Sequence, residues 1–455
     1  VNNSRTVTAG SLTLHEFARK LRARAISAVE MTDECLRRIA SENPQLNAFI
    51  LVMKDSARSE AEAADRELAA GRDRGVLHGV PVSLKDLFDV RGTPTTAASR
   101  VRDGHLATED AAAVTLLRQA GAVVIGKTNL HEFAFGTTNE DSAFGPARNP
   151  IDGSRSPGGS SGGSAASVAA GMALATLGTD TGGSIRIPAA ACGIVGLKPA
   201  LGEVQTDGVV PLSKTLDHVG PLTRDVTDAW SMYHALLGQP AARPLSAQFA
   251  STLRLAVPRR YFFDVLDDGV RDRVEASLEK LRKAGARVDE VDIPHADSIA
   301  TVYLHIVLSD AAAYHGPTLD VMPEKYTKGV RLRLEMGRYI LAEDYVHALA
   351  GRAELRREVD AAMSHHDVLL LPTLPIPAPP IGAATMRVGG RDEPVRNLML
   401  RLTQLFNLTG HPAISLPCGN TASGLPCGLQ LVGSYGKTDA LLAVALAVEK
   451  ILASD

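Results

Sequence analysis

Cysteine is scarce in this chain. Four residues, Cys35, Cys192, Cys418 and Cys427, are scattered through 455 positions with no Cys-x-x-Cys pair, which excludes a disulfide scaffold and makes reduced thiols the expectation. A dominant charge is also missing. Lys and Arg number 48 against 51 Asp and Glu, a formal net charge of −3, so neither a nucleic acid nor an anionic membrane surface is an expected partner. No uninterrupted apolar stretch reaches the roughly 20 residues that a spanning helix needs. Val1 to Leu12 has no charged region leading into an apolar run, so no secretory signal is expected and the reading is a soluble, cytoplasmic protein.

What is present is the make-up of an ordinary globular protein, 45% hydrophobic and 22% charged, with 40 glycines and 25 prolines. A chain of this length can form one large α/β unit with a sizeable core. Leu14, Phe17 and Leu21 share a helical face, and Ser27 with Glu30 has the form of a capping box opening the next helix. Val80 to Lys85 reads as a short strand with its proline near the start, Asp110 to Ala122 as a helix, and Val123 to Gly126 as a buried strand. Helices alternating with short apolar strands imply a sheet covered by helices. A linker is expected around Gly238 to Ser251, followed by a βαβ unit: a strand at Leu253 to Val257, a helix with Val270, Val274, Leu278 and Leu281 on one face, and a strand at Ala286 to Val288. Pro372 to Pro380 is too rich in proline for a helix.

Two glycine-rich turns end on serine and bracket one helix–strand unit. The first is Gly158-Gly-Ser160-Ser-Gly-Gly-Ser164 and the second Thr179-Asp-Thr-Gly-Gly-Ser184. Glycine lets successive backbone N–H groups converge on one point, an arrangement suited to an oxyanion. A Walker loop fails because Gly163 is followed by Ser164 and not lysine. Gly158-Gly-Ser160-Ser-Gly162 does match a nucleophile elbow, which makes Ser160 a rival nucleophile, but Asp152 to Pro157 before it is no buried strand. A serine nucleophile needs a base. None of the 13 histidines stands in a catalytic or metal-binding motif: His131-Glu lacks a second zincin histidine, and His365-His366-Asp stands alone. Lys85, at the end of an apolar strand, is the candidate base, because desolvation favours its neutral amine.

These segments resemble the amidase signature family. The resemblance rests on Gly79-Val-Pro-Val-Ser-Leu-Lys85-Asp, Asn139 to Pro150, both glycine turns, Cys192-Gly-Ile-Val-Gly-Leu-Lys-Pro199, Gly410 to Pro417 and Gly424 to Gln430, nearly end to end. It implies one α/β/α sandwich with a mixed, largely parallel sheet, divided into N-terminal helices (1–70), a catalytic signature core (71–240) and a second part of the same sheet with substrate-pocket helices and the proline-rich loop (250–455). It implies Ser184 as nucleophile, Ser160 as a bridging serine on a cis Gly-Ser peptide, Lys85 as the final base, and the N–H groups of Thr181, Gly182, Gly183 and Ser184 as the oxyanion hole. Asp180 and Arg186 are expected to brace the turn. The implied reaction is hydrolysis of an amide C–N bond through an acyl-enzyme, with esters, anilides and carbamates as further substrates, and with no metal or cofactor.

Phe135, Gly136 and Thr137 are expected on the acyl side of the pocket, and Ile376, Ile381 and Leu398 to Phe406, including Leu400, on the other wall. The resemblance extends to the glutaminase component of aminoacyl-tRNA amidotransferases, where an aspartate holds the substrate amino group. Leu400 stands at that position, although Arg333 matches that component's carboxylate-binding arginine. An apolar acyl or aryl amide is therefore the expected small-molecule substrate, with water as the second reactant. The alternatives are the amidotransferase glutaminase and a catalytically dead binding protein, and intact Lys85, Ser160 and Ser184 argue against the latter.

Overall fold

The computed structural model describes residues 12–239, 245–248 and 250–454. Part of the linker expected at 238–251 lies outside the described residues. Among the described residues thirteen strands run in chain order as β1 (Phe49–Val52), β2 (Pro81–Lys85), β3 (Val123–Thr128), β4 (Ala175–Asp180), β5 (Val195–Lys198), β6 (His218–Thr223), β7 (Arg254–Pro258), β8 (Arg287–Val291), β9 (Val368–Pro372), β10 (Thr385–Val388), β11 (Arg391–Pro394), β12 (Ala413–Asn420) and β13 (Pro426–Gly433). Eleven form one sheet in the order β1-β3-β2-β4-β6-β5-β12-β13-β9-β7-β8. The single-domain α/β architecture with a mixed sheet is thus as expected. Parallel pairing lies in two blocks, β3-β2-β4 and β9-β7-β8. The pairs between these blocks are antiparallel, since that stretch includes the β12–β13 hairpin and strands arriving from both halves of the chain.

Burial explains which segments became strands. β2, β3, β4 and β6 are buried at every position, as expected for strands covered on both faces. The helices Gly162–Ala169 and Arg186–Cys192 pack on one another and against β4, β5, β12 and β13, while Val226–Leu236, Asp268–Lys283 and Thr438–Ala453 pack against β5, β6, β12 and β13. The expected βαβ unit is present: β7 and β8 pair in parallel, and the connecting helix starts on an Asp267 cap and buries Val270, Val274, Leu278 and Leu281. Near the N-terminus the Ser27–Glu30 capping box forms in both directions, and Leu14, Phe17 and Leu21 are buried. Among the described residues no helix is long and apolar enough to cross a membrane.

The β10–β11 hairpin is largely exposed, with Met386 and Val388 alternating with polar residues on β10, and Gly389-Gly390 closes it with both φ angles positive (57° and 80°), the conformation of a type I′ turn. The hairpin leads directly into the helix Val395–Arg401, which borders the site described next.

Candidate active site

β2 delivers Lys85 into the interior at its C-terminal end. The side chain is fully buried, and its Nζ donates to Ser160 Oγ at 2.7 Å and Thr179 Oγ1 at 2.8 Å. The adjacent Asp86 does not neutralise it, because that carboxylate pairs with the buried Lys127 at 2.7 Å. Burial pushes the Lys85 pKa down to about 7, against the opposing pull of Asp217 and Asp180. About half of a lysine in this setting is neutral at pH 7 and able to accept a proton.

Ser160 is fully buried, and the peptide before it, Gly159–Ser160, is cis. The backbone of Thr137 and Thr138 lies against Gly159, so close that a Cβ there would sit 2.9 Å from either. Ser161 N–H donates to the Ser184 carbonyl at 3.3 Å, joining the two glycine turns. Among the described residues no hydrogen bond links the Ser160 and Ser184 hydroxyls directly. Ser161 Oγ donates to Thr179 O at 3.2 Å and Ser142 Oγ to Asn129 Oδ1 at 2.8 Å, so these two serines brace the loops.

Ser184 follows β4 on a turn in which Gly183 has φ of +138°, a conformation that glycine alone adopts readily. The N–H groups of Thr181, Gly182, Gly183 and Ser184 donate to no protein acceptor among the described residues, whereas the next two, of Ile185 and Arg186, both donate to Asp180 Oδ2. The floor of the turn is a buried ion pair. Arg186 Nη2 meets Asp180 Oδ1 at 2.9 Å, and the guanidinium also donates to Thr403 O at 3.0 Å, Gln430 Oε1 at 2.6 Å and Asn407 Oδ1 at 2.7 Å. Burial would raise the Asp180 pKa, but the charge and hydrogen bonds of Arg186 outweigh it and hold the carboxyl well below its usual range. The bracing expected of Asp180 and Arg186 is thus seen, with three partners from the far end of the chain. Arg186→Ala, which strands a buried carboxylate, is expected to lower stability by about 3–5 kcal/mol in urea unfolding.

Thr403 Oγ1 donates to the Gly182 carbonyl at 2.6 Å. A Cβ on Gly182 would lie 2.3 Å from Tyr303 Oη and 3.1 Å from Leu400 Cδ2, so both side chains stand over the turn. Thr181 Oγ1 donates to Asp217 Oδ1 at 2.5 Å, and burial pushes the Asp217 carboxyl up to about 6. Phe135 and Thr137 are buried, and Gly136 has the His131 ring against it. Arg333 stacks over Phe135 at 5.3 Å and pairs with Asp141 at 3.7 Å, which in turn meets His131 at 3.3 Å. Ile376 is buried two residues before Ala378, whose carbonyl accepts from Arg155. The sequence alone does not single out Thr179, Asp217, Tyr303 or Thr403. Thr179 lies inside the second glycine-rich motif, whereas Tyr303 and Thr403 are common residue types brought to the turn only by the fold.

A family model described as Amidase matches residues 30–442. The chain belongs to the amidase family. An amidase of Pseudomonas putida is 43% identical over 428 residues, covering 91% of this chain and 90% of that protein. A glutamyl-tRNA(Gln) amidotransferase subunit of Anaeromyxobacter dehalogenans (strain 2CP-C) is 40% identical, covering 97% of this chain and 96% of that protein. A crystal structure of an amidase superposes with a TM-score of 0.91 at 39% identity, covering 96% of this chain and 99% of that one. The amidase fold is therefore shared from end to end with both amidases and amidotransferase subunits.

Proposed function

We propose that this amidase hydrolyses a C–N bond of a small amide through an acyl-enzyme on Ser184. The observation that carries the reading is the buried Lys85, poised near neutrality and 2.7 Å from Ser160. Ser184 Oγ attacks the carbonyl carbon, and its proton passes through Ser160 Oγ to Lys85 Nζ. The oxyanion is held by the N–H groups of Thr181, Gly182, Gly183 and Ser184, whose lack of protein acceptors leaves them free for it. The proton returns along the relay to the leaving nitrogen as the C–N bond breaks. Water then attacks the Ser184 ester, releasing the acid and the free hydroxyl. Phe135, Gly136 and Thr137 on one side and Leu400 with Ile376 on the other form the pocket walls, and esters, anilides and carbamates are further substrates of the same chemistry.

The similarity to the glutamyl-tRNA(Gln) amidotransferase protein favours a second reading, a glutaminase acting with partner subunits. Leu400 over the oxyanion turn weighs against it, because an alkyl side chain offers nothing to a substrate ammonium. The test is amine release by the purified protein from aryl anilides, fatty amides, carbamates and glutamine. Turnover of a non-glutamine amide by the protein alone is expected. Turnover of glutamine only, and only with added subunits, would select the second reading, and no turnover of any amide would refute the first.

A further inference from the structure

Among the described residues Arg396 has no ion-pair partner, and it stands beside this site. It lies on the short helix Val395–Arg401, four residues before Leu400, so both project from one helical face about one turn, roughly 6 Å, apart. Leu400 touches the oxyanion turn, as does Tyr303, and Arg396 lies within electrostatic range of Tyr303, Arg333 and His131. Among the described residues the Arg396 guanidinium has neither an ion-pair partner nor a hydrogen-bond acceptor, and its Nε is fully shielded with nothing to donate to. Arg333 differs, since its charge is answered by Asp141. Arg396 is half-buried, and a guanidinium with a shielded Nε and no acceptor is completed favourably by an anion. Every other described cation bordering the turn has such a partner or, like Lys85, can shed its proton. Arginine cannot.

We propose that Arg396 receives a carboxylate of the substrate, so that the favoured amides are carboxylate-bearing. A single unanswered charge matches a monoanion, and the guanidinium fork matches a carboxylate in a bidentate pair. The inference rests on the amidase reading and narrows its small amides to carboxylate-bearing ones, in place of the apolar acyl amides expected from sequence.

The test compares kcat/KM for half-amides of four- to six-carbon dicarboxylic acids with neutral amides of equal chain length, and for N-acetylglycine with N-acetylmethylamine. A carboxylate preference of about 30-fold or more is expected in at least one pair, falling to near unity in Arg396→Gln and partly restored in Arg396→Lys. Independently of turnover, saturating succinate or glutarate is expected to raise the Tm of Ser184→Ala and not that of Ser184→Ala/Arg396→Gln. Neutral amides hydrolysed as fast as their carboxylate counterparts would overturn the inference while leaving the amidase reading intact. So would a carboxylate preference that survives in Arg396→Gln. Failure to hydrolyse any amide, neutral or acidic, would instead overturn both.

Discussion

Ser184→Ala is expected to lower kcat/KM for every amide substrate by about four orders of magnitude or more while leaving the fold intact. In the proposed mechanism the substitution removes the atom that forms the covalent bond and leaves only oxyanion stabilisation and binding. The side chain is small and makes no hydrogen bond on which the turn depends, since the turn is fixed by Asp180, Arg186 and Thr403. An unchanged Tm with lost activity is therefore the expected pair of readings. Activity loss accompanied by unfolding would mean that the serine is structural. The kcat/KM of Ser160→Ala is expected to fall by a similar factor, because the proposed proton relay runs through that hydroxyl, whereas an elbow-type Ser160 nucleophile would leave Ser184→Ala largely active.

Lys85 carries the second large effect, on activity and on its pH dependence. With the amine titrating at about 7, kcat/KM is expected to be flat above that pH and to fall about tenfold per unit below it, because only the neutral form accepts a proton. Lys85→Met is expected to lose roughly three or more orders of magnitude in kcat, the scale of a missing general base. The same shift fixes the sign of a stability effect. The group titrates at about 7 in the folded protein against 10.5 ordinarily, so the unfolded chain binds more protons between these values. The contribution of Lys85 is full above 10.5 and is lost as pH falls towards 7. Urea unfolding at pH 7 and pH 10 should therefore show a rise in wild-type stability that is reduced in Lys85→Met. A pH-independent kcat/KM between 5 and 8 would contradict the assignment of Lys85 as base.

How much of this is legible in the sequence depends on where each contact comes from. Lys85 can be read because its strand is local: an apolar run ending in a lysine predicts burial, and burial predicts the depressed pKa. The glycine turns can be read because glycine spacing is itself the geometric requirement. The helix of Asp268–Lys283 can be read because its period-3.6 face is long. The partners of Arg186 cannot: Thr403, Asn407 and Gln430 lie more than 200 positions away, and nothing short of the sheet order, which sets β5 beside β12, brings them in. Tyr303 is one of two tyrosines on the helix Ile299–Val321, and only its approach to Gly182 marks it. Arg396 looks like any arginine on a charged stretch until the structure withholds an acceptor. Lys127 is likewise invisible in the sequence as the partner of Asp86, yet that pairing is what leaves Lys85 without a carboxylate.

The most direct measurement of the central claim is the site of the covalent intermediate. The protein is mixed with a substrate bearing a good leaving group, such as a p-nitroanilide, quenched in acid within milliseconds to seconds, and analysed by intact mass and peptide mapping. A mass increase equal to the acyl group, located on Ser184 and absent from Ser184→Ala, is the predicted result. An acyl group on Ser160, or steady turnover with no adduct on either serine in wild type and in the slowly deacylating Lys85→Met, would contradict it.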